Sequence, residues 1–329
     1  MALVERVGDN GRVRRAMILA AGYGTRLRPL TDECPKPLVP VGDRPLLAHV
    51  AAGLLRGGVD ELIVNAHHLQ EDFRNHLDWI RSKIHVLHEV EIRGTAGGIA
   101  GARGLVGEPP LVVVNGDILC EPPVALARGT AGDGLTLVVE RRARGSGTVG
   151  LGERGRVVRL RGRVFGAEVA GGDYVGVAAL GRRCLESLPA QGCLVGDWAI
   201  PELEGGGWVD TLELEGPWLD VGSLEAYQRA NLLWLEEYAR PTRAWFDFEG
   251  VRGSLEGNSW IGAGARVAPR VSLERSVVGA GAIVEGSGHV ARCVLWPGAK
   301  VRAPLTDAVV TSAGRIVPCR EGASVRGIF

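Results

Sequence analysis

Short apolar runs recur along the first two thirds of the chain, each closed by glycine or a polar residue. Ala16–Ala21 reads AMILAA and stops at Gly22; Glu61–Asn65 reads ELIVN, Lys83–Leu87 KIHVL, Leu111–Asn115 LVVVN and Leu135–Glu140 LTLVVE. Runs of this length, rich in β-branched residues, predict buried strands. Helical spacing predicts helices over Leu46–Arg56, Leu69–Arg81 and Gly97–Arg103. An amphipathic stretch over Leu224–Tyr238, with Pro241 beyond it, predicts a closing helix. Alternating strands and helices predict an α/β fold with a mainly parallel sheet. Ligands of such sheets sit beyond the carboxyl ends of the strands, so the loops after these strands are where chemistry is expected.

From about residue 250 the pattern changes. Gly, Val, Ala and Ser dominate, and residues of similar size recur every six positions: Val271, Val277, Ile283, His289, Leu295 and Val301, with Ile261, Val267 and Leu273 as a second set. A GAGA-type doublet occurs at Gly262–Ala265 and again at Gly279–Ala282. A six-residue period predicts a short parallel β-helix, one hexad per face. The expected organisation is a leader over 1–15, an α/β domain over 16–240 and a β-helix over 250–329.

Composition narrows the function. Lys+Arg and Asp+Glu both number 38 in 329 residues. Zero formal charge gives no electrostatic footprint for nucleic acid or an anionic membrane. No apolar run approaches the ~20 residues of a membrane helix, and the polar N-terminus lacks the apolar segment of a signal peptide. The six cysteines form no CxxC pair, which points to free thiols in a reducing cytoplasm. Only three of the basic residues are lysine, at 36, 83 and 300. A lysine inside a motif is therefore informative.

Lys36 is in such a motif. Leu19-Ala20-Ala21-Gly22-Tyr23-Gly24-Thr25-Arg26-Leu27-Arg28-Pro29-Leu30-Thr31 follows the first strand, and Pro35-Lys36-Pro37-Leu38 comes next. Gly22 and Gly24 let backbone N–H groups approach phosphates. Arg26 can fork onto phosphate oxygens and Lys36 adds a point charge. A GxG turn alone is weak, but the whole string GxGTRLxPLT…PKPL resembles the signature of the sugar-1-phosphate nucleotidylyltransferases. That resemblance implies a Rossmann-like fold, Mg²⁺ dependence, and attack of a sugar phosphate on the α-phosphorus of a nucleoside triphosphate. Many members carry a C-terminal left-handed β-helix, which the hexads match. Arg26, Lys36 and Asp117 are the expected catalytic residues.

Three further segments carry the resemblance. Val112-Val113-Val114-Asn115-Gly116-Asp117 matches the family's metal-binding NGD motif and implies Asp117 as a Mg²⁺ ligand, although a lone carboxylate there could also cap a helix. Trp218-Leu219-Asp220-Val221-Gly222-Ser223 resembles the segment that supplies a second metal ligand, Asp220, and also reads as a helix entry capped by Ser223. Glu89-Val90-Glu91-Ile92-Arg93-Gly94-Thr95-Ala96-Gly97 resembles the loop around base and ribose, with Arg93 where relatives carry Leu. It implies nucleotide contacts from Glu89, Gly94, Thr95 and Gly97, beside Leu19, Ala20, Ala21, Gly22, Gly24, Thr25, Arg26, Asn115 and Gly116. Asn65-Ala66-His67-His68 resembles another family segment and adds Asn65; its histidines read as structural or rim residues.

For the sugar phosphate, the resemblance offers Gly147, Gly176 and Asp197. The lysine that relatives use is missing from Leu160-Arg161-Gly162-Arg163, where Arg163 is the candidate substitute and a solvated charge run the alternative. No catalytic base is needed, because a sugar phosphate is already anionic. Positioning and charge neutralisation would carry the reaction.

The implied partners are a nucleoside triphosphate and a sugar 1-phosphate, with GTP and mannose 1-phosphate or a related sugar favoured, within a cytoplasmic homo-oligomer. A silent nucleotide-sugar-binding subunit and UTP/muramic acid- or heptose-type transferases are the alternatives. A β-helix that transfers acyl groups is the remaining reading, with His289 its only histidine.

Overall fold

The computed structural model describes residues 14–67, 83–130, 132–237 and 253–319. The helix expected over 69–81, and nearly all of the leader, lie outside the described residues. The chain opens with β1 (Arg15–Leu19), a tight hairpin of β2 (Pro40–Val41) and β3 (Arg44–Pro45), α1 (Leu46–Arg56), β4 (Glu61–Ala66), β5 (Ile84–His88), α2 (Gly94–Gly101) and β6 (Leu111–Asn115). β1 pairs in parallel with β4 on one side and β6 on the other, and β4 pairs in parallel with β5. The order 5-4-1-6 reverses its direction of growth between β1 and β6. That reversal leaves a crevice at the carboxyl ends of these strands.

The chain then runs through β7 (Ile118–Cys120), β8 (Leu135–Arg142), β9 (Val149–Leu151), β10 (Val157–Leu160), β11 (Arg163–Val164), the long β12 (Ala170–Leu180), β13 (Asp210–Glu213), β14 (Trp218–Asp220) and the helix α3 (Leu224–Glu237). β12 lies antiparallel to β6, β8 and β9, and extends the sheet to ten strands with β11 at the edge. The sheet is therefore mixed, with its parallel part at the crevice. The glycines of β12 weaken its strand signal in the sequence. Gly176, at φ +78°, sits where the pairing of β12 with β8 shifts register.

Alternation along β1 divides the core. Ala16 and Ile18 pack with Leu47, Val50 and Leu54 of α1, while Met17 packs with Ala96 and Ile99 of α2. Both faces are covered, which is why these strands read as continuous apolar runs. Among the described residues no helix is long and apolar enough to cross a membrane.

Beyond residue 253 the strands form three rows of parallel pairs. Trp260, Val277, Val294 and Val309 follow one another in the first row, Arg266, Ile283 and Lys300 in the second, and Leu273, Val290 and Leu305 in the third. Antiparallel strands close the ends of the first row: Gly253–Glu256 on Ser259–Gly262, and Ile316–Pro318 on Ala308–Val310. Trp260 and Val277 are 17 residues apart, as are Val277 and Val294. A strict hexad repeat would give about 18. The missing residue shifts the alternation by one, which exchanges inward and outward positions. His289, on the six-residue register, therefore lies opposite Ser272 and is exposed, while Val290 is buried. The His289 ring stands 2.8 Å from Ser272 Oγ and 2.8 Å from the Glu274 carboxylate.

These strands pack on α3. The Trp234 and Trp260 rings meet edge to face at 5.1 Å, and Gln228 Nε2 donates to the Arg292 carbonyl at 2.6 Å. The buried Tyr227 hydroxyl accepts from Trp296 Nε1 at 2.9 Å and donates to the Pro40 carbonyl. One apolar cluster runs from Leu27, Leu30 and Val39 through Leu233 and Trp234 to Val277, Trp296 and Val317.

Candidate active site

The strand register brings the first site residues together. Leu19 lies beside Asn65 on one flank and Asn115 on the other, all three at the ends of parallel strands. They open onto a cavity of about 230 Å³, lined also by Ala20, Ala21, Gly22, Lys36, Pro37, Glu89, Gly94, Thr95, Gly116 and Asp117. A side chain on Gly22 would meet nothing within 4 Å, so its backbone is open to a ligand. Gly24 has a different role. It turns the loop at φ +63° and packs against Thr31 and Lys36, where a Cβ would come within 2.9 Å of Thr31 Cγ2. Thr25 and Arg26 follow it in a short exposed turn, Thr25–Leu27, anchored by buried Leu27.

The charged end of the cavity gathers four of the expected residues. Lys36 Nζ stands 2.6 Å from Asp117 Oδ2. β14 pairs antiparallel with β7 so that Asp220 faces Ile118, and the Val221 N–H donates to the Asp117 carbonyl at 2.9 Å. Burial, and then the Asp117 charge, raise the Asp220 pKa; Lys36 and Arg26 act in the opposite direction. Asp220 Oδ1 is buried without a hydrogen-bond partner. A Cβ on Gly222 would sit 2.9 Å from Asp220 Oδ1 and 3.0 Å from Arg26 Nη1, so this glycine keeps carboxylate and guanidinium close. Two adjacent carboxylates, one with an orphaned buried oxygen, suit a hard divalent cation. Among the described residues no group of three His, Cys, Asp or Glu could hold an ion alone. The remaining ligands would be phosphate oxygens and water. Ser223 also caps α3, accepting from the Ala226 N–H at 3.2 Å, so cap and carboxylate roles coexist.

A buried polar chain fixes the opposite wall. Asn65 Oδ1 accepts from the Ala20 N–H at 2.8 Å, and its Nδ2 donates to Glu89 Oε1 at 2.7 Å. Glu89 Oε2 accepts from the Arg93 N–H at 3.2 Å. Asn65 and Glu89 are both buried, and the chain ties the Gly-rich loop to the segment that starts α2. His67 Nδ1 bonds the Glu89 carbonyl at 2.8 Å, and its ring meets Tyr23 edge-on at 5.7 Å, which makes it a rim residue; His68 lies outside the described residues. Gly97 does not face the cavity. A Cβ there would strike Ala190 O at 2.6 Å, so it permits α2 to pack on the 190–192 loop. Gly98, which the sequence reading omitted, lies against Asn65 and Glu89, with a Cβ position 2.8 Å from both. The second glycine of the Gly97-Gly98 doublet was its signal.

Of the residues expected to face the sugar phosphate, Gly176 has a Cβ position 2.9 Å from Asn115 Nδ2, which puts its backbone beside a cavity residue. Gly147 packs on the Gly172 carbonyl, and Asp197 accepts from the Cys193 N–H at 2.6 Å, closing its own turn. Arg163 is on edge strand β11, exposed and paired with Glu204, so the solvated-charge alternative describes it. Arg161, at φ +48° in the same hairpin, instead reaches Cys193, with Nη2 3.2 Å from Sγ. The next residue, Leu194, donates its N–H to Thr95 Oγ1 at 2.7 Å, so Arg161 touches the segment that packs on the cavity-lining Thr95, whereas Arg163 pairs with Glu204. The sequence holds both arginines two positions apart, and only the turn conformation separates them.

Fold and site together define an α/β crevice at the carboxyl ends of parallel strands, with a Gly-rich loop and paired carboxylates. Residues 15–161 match the family model of nucleotidyl transferases. Mannose-1-phosphate guanylyltransferase catalytic subunit beta of Danio rerio is 30% identical over 237 residues, 68% of this chain and 65% of that protein. The chain thus spans just under two thirds of that relative's length. Probable mannose-1-phosphate guanylyltransferase 1 of Oryza sativa subsp. japonica is 28% identical over 307 residues, 88% of this chain and 82% of the rice protein. HddC from Yersinia pseudotuberculosis, solved in complex with GMP-PN, shares the fold with a TM-score of 0.55 at 22% identity, covering 67% of this chain and 98% of HddC. The chain is thus similar over residues 15–161 to nucleotidyl transferases, and over most of its length to mannose-1-phosphate guanylyltransferases.

Proposed function

We propose that the protein transfers a nucleoside monophosphate from a nucleoside triphosphate to a sugar 1-phosphate, releasing pyrophosphate, with GTP and mannose 1-phosphate as substrates and Mg²⁺ as cofactor. The observation that supports it most is that Lys36 and Asp117 meet at a cavity also lined by Gly22, with the orphaned Asp220 oxygen close to both charges. The names of the vertebrate and plant relatives support the choice of GTP and mannose 1-phosphate.

In this reading the backbone of Ala20–Gly22 cradles the phosphates, and the Asn65–Glu89 chain keeps it in place. Asp117 and Asp220 hold the cation. Bound there, it supplies positive charge to the reacting phosphate oxygens. The sugar phosphate oxygen attacks the α-phosphorus, and the bond to the pyrophosphate oxygen breaks. Arg26 and Lys36 draw off the charge that develops on that leaving group. Gly147, Gly176 and Asp197 belong to the sugar side of the proposal, with Arg161 in place of Arg163.

Residues 16–240 form the transferase domain in this account. Those from 250 onward form a short left-handed β-helix, a reading supported by three rows of parallel pairs and their 17-residue spacing. A cytoplasmic location and self-association complete the proposal; light scattering on the purified chain tests the second. The reaction is tested by pyrophosphate release over a matrix of nucleoside triphosphates and sugar 1-phosphates with Mg²⁺.

A further inference from the structure

The segment that carries Arg26 and Lys36 has little regular structure of its own. Between Gly24 and Leu38 it consists of three short turns, Thr25–Leu27, Leu30–Asp32 and Lys36–Leu38, and no strand. Its geometry must come from what it touches, and its midpoint touches the last turn of the C-terminal strands. Glu33 Oε1 accepts from Thr311 Oγ1 at 2.8 Å, and Oε2 accepts from the Ala313 N–H at 3.3 Å. The Arg315 guanidinium lies 3.8 Å from the same carboxylate and 3.4 Å from that of Asp32.

The donor side is fixed in advance. Thr311 is fully buried, its N–H donates to the Arg315 carbonyl at 3.0 Å, and its carbonyl accepts from Gly314 at 2.9 Å. The acceptor side leads to the site. Thr31, two residues before Glu33, donates its hydroxyl to the Gly24 carbonyl at 2.9 Å. Lys36, three residues after it, meets Asp117. Hydrogen bonds to a carboxylate are stronger than neutral ones and narrow in geometry, so two of them on one side chain fix its position.

We propose that Thr311, acting through Glu33, is a positioning residue for nucleotidyl transfer: the C-terminal strands complete the active-site loop. This rests on the function proposed above, because the loop matters to rate only if Arg26 and Lys36 serve the leaving group. Arg26 acts on charge present only as the bond breaks, so loosening the loop lowers kcat more than it raises KM.

The test uses the full chain with Thr311→Val, which keeps shape and removes the hydroxyl, Thr311→Ser, which restores it, and Glu33→Gln from the other partner. Two readouts are taken. Amide hydrogen exchange is followed in residues 24–38 and, as an internal reference, in β1 and β6. Then kcat and KM are measured for pyrophosphate release from GTP and mannose 1-phosphate with Mg²⁺. The expected result is faster exchange in 24–38 alone for Thr311→Val and Glu33→Gln, with kcat down about tenfold and KM for GTP within about twofold. Thr311→Ser returns both readouts to wild type. Wild-type loop exchange and kcat in both variants would overturn the proposal. Equal loss of protection in β1 and β6, with kcat falling only as the folded fraction falls, would overturn it too. If the wild-type chain releases no pyrophosphate, the proposed function fails and the loop exchange alone decides the structural claim.

Discussion

Lys36 and Asp117, 2.6 Å apart, join the segment after the Gly-rich loop to the carboxyl end of β6 by a direct ion pair at the edge of the cavity. Both side chains are largely withdrawn from water. Removing one partner therefore leaves the other charge poorly compensated as well as taking a group from the chemistry. Asp117→Asn is expected to lower kcat about 10²-fold or more, and Lys36→Met similarly, with folding retained by circular dichroism. Near-normal turnover in both variants would remove these residues from the mechanism.

Asp220 gives a prediction on stability that needs no substrate. Its carboxyl is buried with Oδ1 unpartnered, and its pKa is raised by burial and by Asp117. A carboxyl whose folded pKa lies above its unfolded value contributes stability below the unfolded pKa, and that contribution disappears as pH rises through the folded pKa. Its ionised form is thus a local liability, which a divalent cation bound there would relieve. Without metal, Asp220→Asn is expected to raise Tm at pH 7 and to bring it closer to the wild-type value at acid pH. Adding Mg²⁺ is expected to raise the wild-type Tm and not that of the variant, as scanning calorimetry can check.

Asp307 is shifted the other way. The hydrogen bond from Arg292 Nε, 2.7 Å from Oδ1, is the main cause of its lowered pKa. Its contribution is present above the unfolded value and is lost as pH falls through the folded one. Because Arg292 also accepts from Gln228 of α3, acid should loosen this end of the C-terminal strands first. Asp307→Asn should lower Tm at pH 7 and flatten its fall below about pH 4. A parallel acid profile in wild type and variant would contradict this.

Trp296 and Tyr227 test how firmly α3 and the C-terminal strands are joined. Trp296→Phe removes the indole N–H donor to Tyr227 and is expected to cost about 1 kcal/mol. Trp296→Ala also empties a buried aromatic site and should cost about 3–5 kcal/mol, read from urea unfolding.

The two arginines of the β10–β11 hairpin separate by position. Arg163→Ala, on an exposed pair with Glu204, should leave the KM for sugar phosphate within about twofold, as for most exposed ion pairs. Arg161→Ala should raise it by about tenfold, the loss expected for one charge-assisted contact to phosphate. The reverse ranking would return the role to Arg163.

Much of this was legible in the sequence, and the rest was hidden for identifiable reasons. β1, β4 and β6 are buried on both faces, so each reads as an apolar run, and the residues at their carboxyl ends line the cavity. β12 was not legible: Gly171, Gly172 and Gly176 break its strand pattern, yet it is the strand that turns the sheet antiparallel. The hexads beyond residue 250 signalled parallel strands, but a 17-residue turn defeats a six-residue count, which is why His289 emerged outside and Val290 inside. Gly97 matched a motif while serving packing, because a close approach says nothing of what approaches. The Glu33–Thr311 contact joins residues 278 positions apart, and no local pattern announces it.

The most direct test of the account is pyrophosphate release by the purified chain with GTP, mannose 1-phosphate and Mg²⁺, beside Asp117→Asn. Wild-type turnover is expected, disappearing on chelation and falling about 10²-fold or more in the variant. No release above background from wild-type protein, across the full matrix of triphosphates and sugar 1-phosphates, would contradict it.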